Sequence, residues 1–154
     1  MTADNQFTAI LLEQADDKVT ASVQTIDDDR LPEGDVTVAV KYSTLNYKDG
    51  LILGGLGRLV RDYPHVPGID CAGTVISSES ANFKPGDEVI MTGWRFGEIH
   101  WGGFATKTRV KSEWLVPLPG GMTLEQSMAI GTAGLTAMLA LMALEEHGLT
   151  PDKE

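Results

Sequence analysis

Three stretches near the amino terminus alternate apolar and polar positions with a period of two: FTAILLEQA from Phe7, VTASVQTI from Val19 and DVTVAVKYST from Asp35. That period predicts half-buried strands. In the third stretch Val36, Val38 and Val40 share one face, while Thr37, Ala39 and Lys41 share the other. The intervening DDDRLPEGD, broken by Pro32 and Gly34, predicts a solvated turn, since its aspartates lack the spacing and closing glutamate of a calcium loop. A short helix is expected to start from Asn46 as N-cap and run through YKDGLILGG, with Gly54, Gly55 and Gly57 ending it. Strands are expected again over Asp70 to Ser78, Glu88 to Gly93, Gly103 to Val110 and Trp114 to Pro117, separated by the turns FKPGD and KSEW.

At Pro119 the pattern changes period. Thr123 followed by Gln126 reads as a capping box that opens two helical segments, with Gly131 and Gly134 at their joint. The second segment is apolar on nearly every face from Leu135 to Leu144, so it needs more cover than a single sheet provides. The uncharged run from Gln126 to Leu144 has the length of a bilayer span. Its serine, threonines and glycines, and its lack of basic flanks, favour a buried helix pair and no membrane partner.

Composition narrows the setting. The chain has 154 residues and 42% hydrophobic content, enough for one domain or one domain plus a fragment. Twelve basic against 22 acidic residues give a formal net charge of −10, which argues against nucleic acid as a partner. A single cysteine excludes an internal disulfide, and MTADNQFTAILLEQADD lacks the basic and apolar regions of a signal peptide, so a cytoplasmic protein is expected.

Candidate chemistry is sparse. A site built from His65, Asp70 and His100 has no paired metal-ligand spacing, and His147 suits the carboxyl end of a helix. Cys71 stands in an apolar strand beside Asp70 and reads as a buried inert thiol. GGLG at 54–57 follows a short helix where a phosphate loop would follow a strand, so it reads as a turn. GTAG at 131–134 fits either close helix packing or the approach of a flat ligand. TLNYKDG gathers Asn46, Tyr47, Lys48 and Asp49 where the chain leaves a strand, as an N-cap with solvated charges or as a ligand-facing cluster. GWRFGEIHWGG at 93–103 reads as a loop that covers a flat or acyl group, or as edge packing.

Taken in order, LNYKD, YPHVPGIDCAGTV, FKPGDEV, HWGGFA and AIGTAGLTAM resemble the medium-chain dehydrogenase/reductase superfamily, in its zinc-free quinone oxidoreductase branch and the group containing acrylyl-CoA reductase. Where zinc alcohol dehydrogenases carry Gly-His-Glu, this chain reads Gly68, Ile69, Asp70, and Asn46 matches their metal-binding cysteine. The resemblance implies metal-free chemistry and a mainly β fold with C-terminal helices. A GroES-like β-barrel catalytic domain would cover residues 1–122, with the leading helices of a truncated Rossmann cofactor-binding domain over 123–154. The dinucleotide-binding turn is expected past Glu154.

The implied activity is NADPH-dependent reduction of α,β-unsaturated carbonyl compounds such as acrylyl-CoA, in a full-length homodimer, with this chain alone inactive. Reduction of quinones or free enones is the alternative within the branch. A non-catalytic β-barrel module that binds a partner through its apolar helix, or a fragment without a role of its own, is the alternative outside it. The resemblance gives catalytic roles to Tyr47, Asn46 and Asp49, with Lys48 less firmly placed, and cofactor contacts to Tyr47 and Thr132. Arg95 and His100 would bind substrate, Arg95 through a carbonyl or phosphate. Asp70 is expected to be architectural, capping backbone donors at its turn.

Overall fold

A computed structural model describes residues 5–16 and 18–152. The first four residues, part of the stretch read for a leader, and Glu154, past which the dinucleotide turn is expected, lie outside the described residues. Strands β1 (Gln6–Ala15) and β2 (Lys18–Asp27) pair as an antiparallel hairpin. A second sheet contains β3 (Val36–Ser43), β4 (Asp70–Ser78), β5 (Glu88–Thr92), β6 (Lys107–Val110) and β7 (Leu115–Pro117), in the spatial order β6-β3-β4-β5-β7 with every pair antiparallel. Helix α1 (Tyr47–Leu53) follows β3, and helix α2 (Leu124–Glu146) follows β7. Bridges Ala9–Ala105 and Leu12–His65 fasten the hairpin to the segments flanking the second sheet.

The period of two explains how these layers share a core. Adjacent residues on β1 point oppositely. Leu11 therefore packs with Phe7, Ile26 and Val66, while Leu12 packs with Ile52 of α1, Val60 and Ile69. On β4, Cys71 joins the main cluster of Val36, Val38, Val75, Val89, Met91 and Phe96, while the adjacent Ala72 receives Leu124 and Met128 of α2. Thus β4 divides the main core from the docked start of α2.

The expected mainly β architecture with a helical carboxyl end is present, with four local corrections. Alternation fails in β3, where Thr37 is buried and register shifts follow Thr37 and Val40, because this strand is covered on both faces. The strand expected from Gly103 begins only at Lys107; upstream, the amides of Gly103 and Phe104 donate to the carbonyls of Gly68 and Pro67. Trp114 belongs to a 3-10 turn, Ser112–Trp114, and β7 starts one residue later. The helix joint lies at Gly131 alone, with φ 49° and ψ −159°, while Gly134 is helical.

Beyond that joint α2 leaves Leu135, Met138, Leu139, Met142 and Leu144 exposed among the described residues. The helix has the length and the mean hydropathy, 1.7, of a membrane-crossing segment, but its first turns are docked on Ala72.

The segment 93–103 is anchored by Phe96, which is fully buried, while its neighbour Trp94 is 59% exposed. Phe96→Ala is expected to cost about 3–5 kcal/mol through lost burial and a cavity, against less than about 1 kcal/mol for Trp94→Ala. Denaturant unfolding of the two variants checks this, and equal losses would refute the assignment of the anchor.

Candidate functional site

The end of β3, the first turn of α1, the start of β4 and the joint of α2 meet around two buried carboxylates. Asp70 is fully buried at the first position of β4. It accepts four hydrogen bonds: from Thr44 Oγ1 at 2.6 Å, Asn46 Nδ2 at 3.1 Å, the Thr132 amide at 3.0 Å and Thr132 Oγ1 at 2.5 Å. Asp49, also fully buried, accepts from the amides of Asn46 at 2.8 Å and Ile69 at 3.0 Å, and from Asn46 Nδ2 at 3.3 Å.

Local sequence accounts for the arrangement. Asn46 takes the N-cap position of α1 with extended backbone, and Asp49 three residues later reaches back to its amide, one half of a capping box. The Asn46 side chain turns its amide group to Thr44 Oγ1 at 2.6 Å and to the two carboxylates. Asp49 is therefore not the solvated charge that a plain N-cap reading expects. Gly131 is required for two reasons: its φ is +49°, and a Cβ there would lie 2.7 Å from Thr44 Cγ2 and 3.0 Å from Asp70 Oδ2.

Tyr47 projects from this locked turn and is 85% exposed. It borders an open, largely apolar depression formed with Leu45, Asn46, Gly50, Leu51 and Leu56. Lys48 pairs through Nζ with Glu98 Oε1 at 2.9 Å, and Arg95 Nε lies 3.4 Å from Glu98 Oε2. The structure thus brings Asn46, Asp49 and Thr132 together around Asp70 and sets Tyr47 beside them. Arg95 joins Lys48 through Glu98.

His100 is placed apart from that cluster. Its Nε2 bonds the Arg109 carbonyl at 2.8 Å, and its ring meets the edge of Trp114 at 5.0 Å. Asp70 does cap a backbone donor, as expected, but most of its bonds come from side chains. Motif reading singled out neither Thr44 nor Glu98. Glu98 carried a faint signal, its three-residue spacing from Arg95 in a glycine-rich loop.

Burial shifts the titration of Cys71, His65 and His100. Burial, and then the charge of Asp70, push the Cys71 thiol far above its ordinary range, which suits the inert-thiol reading. Desolvation pushes both His65 and His100 below the usual histidine value, against the raising effect of their bonds to the Gly97 and Arg109 carbonyls. Among the described residues, no three His, Cys, Asp or Glu side chains cluster as metal ligands.

The family model of the alcohol dehydrogenase GroES-like domain matches residues 32–120, more than half of the chain. Acrylyl-CoA reductase AcuI of Ruegeria pomeroyi is 58% identical over 147 residues, which cover 94% of this chain and 44% of that protein. A chloroplastic quinone-oxidoreductase of Triphysaria versicolor is 37% identical over 127 residues, covering 79% of this chain and 36% of the relative. The solved YhdH oxidoreductase of Salmonella enterica, in complex with NADP, superposes with a TM-score of 0.91 at 54% identity, covering 94% of this chain and 44% of that one. The chain spans less than half the length of these relatives.

Two measurements test the site. Asp70→Asn sets an amide donor against the hydroxyl and amide donors already aimed there, and is expected to lower unfolding stability by about 1–3 kcal/mol; a loss within about 0.5 kcal/mol would mean that the carboxylate does not organise the cluster.

The second concerns pH. Because burial in the folded state lowers the His65 and His100 pKa below the ordinary value, the unfolded chain binds more protons below about pH 6.5. Stability is then full above that value and lost as pH falls, with a slope approaching about 1.4 kcal/mol per pH unit for each histidine that stays neutral when folded. His65→Gln should flatten the profile measured by denaturation, and an unchanged profile would assign the loss elsewhere.

Proposed function

Because this chain belongs to the alcohol dehydrogenase GroES-like domain family, we propose that it is the catalytic portion of an NADPH-dependent reductase of α,β-unsaturated carbonyl compounds, with acrylyl-CoA as the model substrate. The reading extends to domain limits of 1–122 for the catalytic unit and 123–154 for the start of the cofactor domain. It also includes a cytoplasmic setting, a homodimer at full length and chemistry without zinc. The observation that carries it is the Tyr47 phenol, exposed on a turn whose neighbours Asn46 and Asp49 are locked and tied through Asp70 to Thr132. The 58% identity to an acrylyl-CoA reductase supports the substrate class.

The residues present suit a nicotinamide. Thr132 Oγ1 donates its only proton to Asp70 Oδ1, so its remaining lone pairs can accept a hydrogen bond from a carboxamide. When bound, the cofactor supplies the hydride that reaches the substrate β-carbon. Charge then left on the carbonyl oxygen requires a donor, and Tyr47 Oη is the exposed phenol beside the apolar depression. Leu45, Leu51 and Leu56 give the depression an apolar lining suited to the substrate's carbon chain. Asn46 and Asp49 hold the turn that carries Tyr47, and Thr132 would hold a nicotinamide carboxamide from the α2 joint. The α-carbon is protonated by Tyr47 or by water relayed to it. Arg95 is given the substrate's polar end; His100, with its Nε2 engaged by the Arg109 carbonyl, acts on substrate only by shaping the loop.

Quinone reduction is the second reading, supported by the similarity to a quinone-oxidoreductase and by a depression flat and apolar enough for a ring. Side-by-side rates with acrylyl-CoA and a benzoquinone, in a full-length protein supplied with NADPH, separate the two. In the same protein Tyr47→Phe is expected to lower the turnover number by about 10²–10³-fold. A value within about threefold of wild type, below ~0.7 kcal/mol, would remove Tyr47 from the chemistry.

A further inference from the structure

We propose that Lys48 and Arg95, held by the buried carboxylate of Glu98, form a subsite for the phosphate groups of a thioester's coenzyme A carrier and so favour carrier-borne substrates over uncharged enones. This rests on the reductase reading above. Glu98 is 8% exposed and meets both cations, Lys48 Nζ at 2.9 Å and Arg95 Nε at 3.4 Å. These two cations stand together on a chain whose net charge is −10, where the nearby carboxylates Asp49 and Asp70 are taken up by amides and hydroxyls. The pair offers an anionic ligand two cations at one place, and Lys48 is next to Tyr47 in sequence.

The two cations keep free hydrogen-bonding capacity. Their side chains are 45% and 49% exposed. Arg95 engages Glu98 through Nε, leaving the terminal nitrogens of its guanidinium fork for a bidentate oxyanion, and Lys48 has two ammonium hydrogens beyond the one given to Glu98.

The backbone that carries Arg95 adopts a sparsely populated conformation. Gly93, Trp94 and Arg95 all have positive φ, 82°, 54° and 58°. For the two non-glycine residues that conformation is unfavourable. Core burial does not repay it, since Trp94 is 59% exposed and the buried anchor of the loop is Phe96. The strain does present Arg95 next to an indole that stacks on Trp114 with ring centroids 6.3 Å apart. A flat exposed ring beside a cationic pair matches a ligand that ends in a nucleotide. An enone or quinone without phosphate offers this pair only neutral carbonyl oxygens, a weaker partner than a charged oxyanion.

Both coenzyme A and NADPH carry phosphates, so the test reads each. In the full-length protein, wild type and the double variant Lys48→Gln, Arg95→Gln are compared for kcat/KM on acrylyl-CoA and on acrylyl-N-acetylcysteamine, the same acyl thioester without phosphates. The KM for NADPH is measured alongside. We expect the preference for acrylyl-CoA to fall by about tenfold or more in the variant, the loss appearing in KM, as for charge-assisted hydrogen bonds. The NADPH KM should stay within about twofold, and added salt should erode the wild-type preference.

An unchanged preference, or an equal loss on both thioesters, overturns the proposal. A rise in the NADPH KM with preference intact assigns the pair to the cofactor and overturns it too. If wild type reduces neither thioester, the reductase reading has failed separately. Equilibrium binding of coenzyme A then decides the subsite: weaker binding by the double variant supports it, and equal or absent binding refutes it.

Discussion

The site depends on burying one carboxylate without a neighbouring cation to neutralise it. Asp70 has no exposed surface, and removing a carboxylate from water costs several kcal/mol unless its oxygens are bonded. Its four bonds come from the end of β3, from the N-cap of α1 and from the joint of α2. Three chain segments therefore cannot move independently. The glycine at the joint, the threonine at the strand end and the asparagine at the cap are geometric conditions for that one group. The same charge, with burial, keeps Cys71 protonated, so adjacent residues of the strand have opposite fates, one an anion and the other an inert thiol.

Local signals were legible in the sequence where their cause is local. The strand signals of β1 and β2 and the Thr123–Gln126 capping box depend on neighbours within a few residues. The contacts that assemble the site do not. Asn46 reaches Asp70 across 24 positions, Thr132 reaches it across 62, and Lys48 reaches Glu98 across 50. No spacing rule connects residues so far apart, which is why Asp70 read as plain architecture and Glu98 was not singled out. The misjudged face of β3 has a different cause. Period two shows that faces differ only if one of them meets water, and Thr37 is buried as well.

Charge is handled in two ways within a short distance. Asp49 and Asp70 are satisfied by amides and hydroxyls, which fix positions without consuming the few basic residues of an acidic chain. Glu98 is satisfied by cations that remain half exposed. Neutral donors lock geometry because each bond is directional and short in reach. Cations beside a partly shielded carboxylate also keep a field that extends into solvent over roughly a Debye length, ~8 Å. The locked half of the turn and the half that faces charge in solution are thus consecutive residues of one short helix.

The polarity of Thr132 follows from the same network and limits what can bind there. A hydroxyl has a single proton, and Asp70 Oδ1 takes it at 2.5 Å. Toward any ligand, Thr132 Oγ1 is then an acceptor and nothing else. A group that offers only lone pairs would meet lone pairs there, while a carboxamide NH₂ or another donor would be matched. Asp70 thus does more than hold the segments together. By fixing the hydroxyl's orientation, a residue without exposed surface sets the hydrogen-bonding polarity that the α2 joint presents.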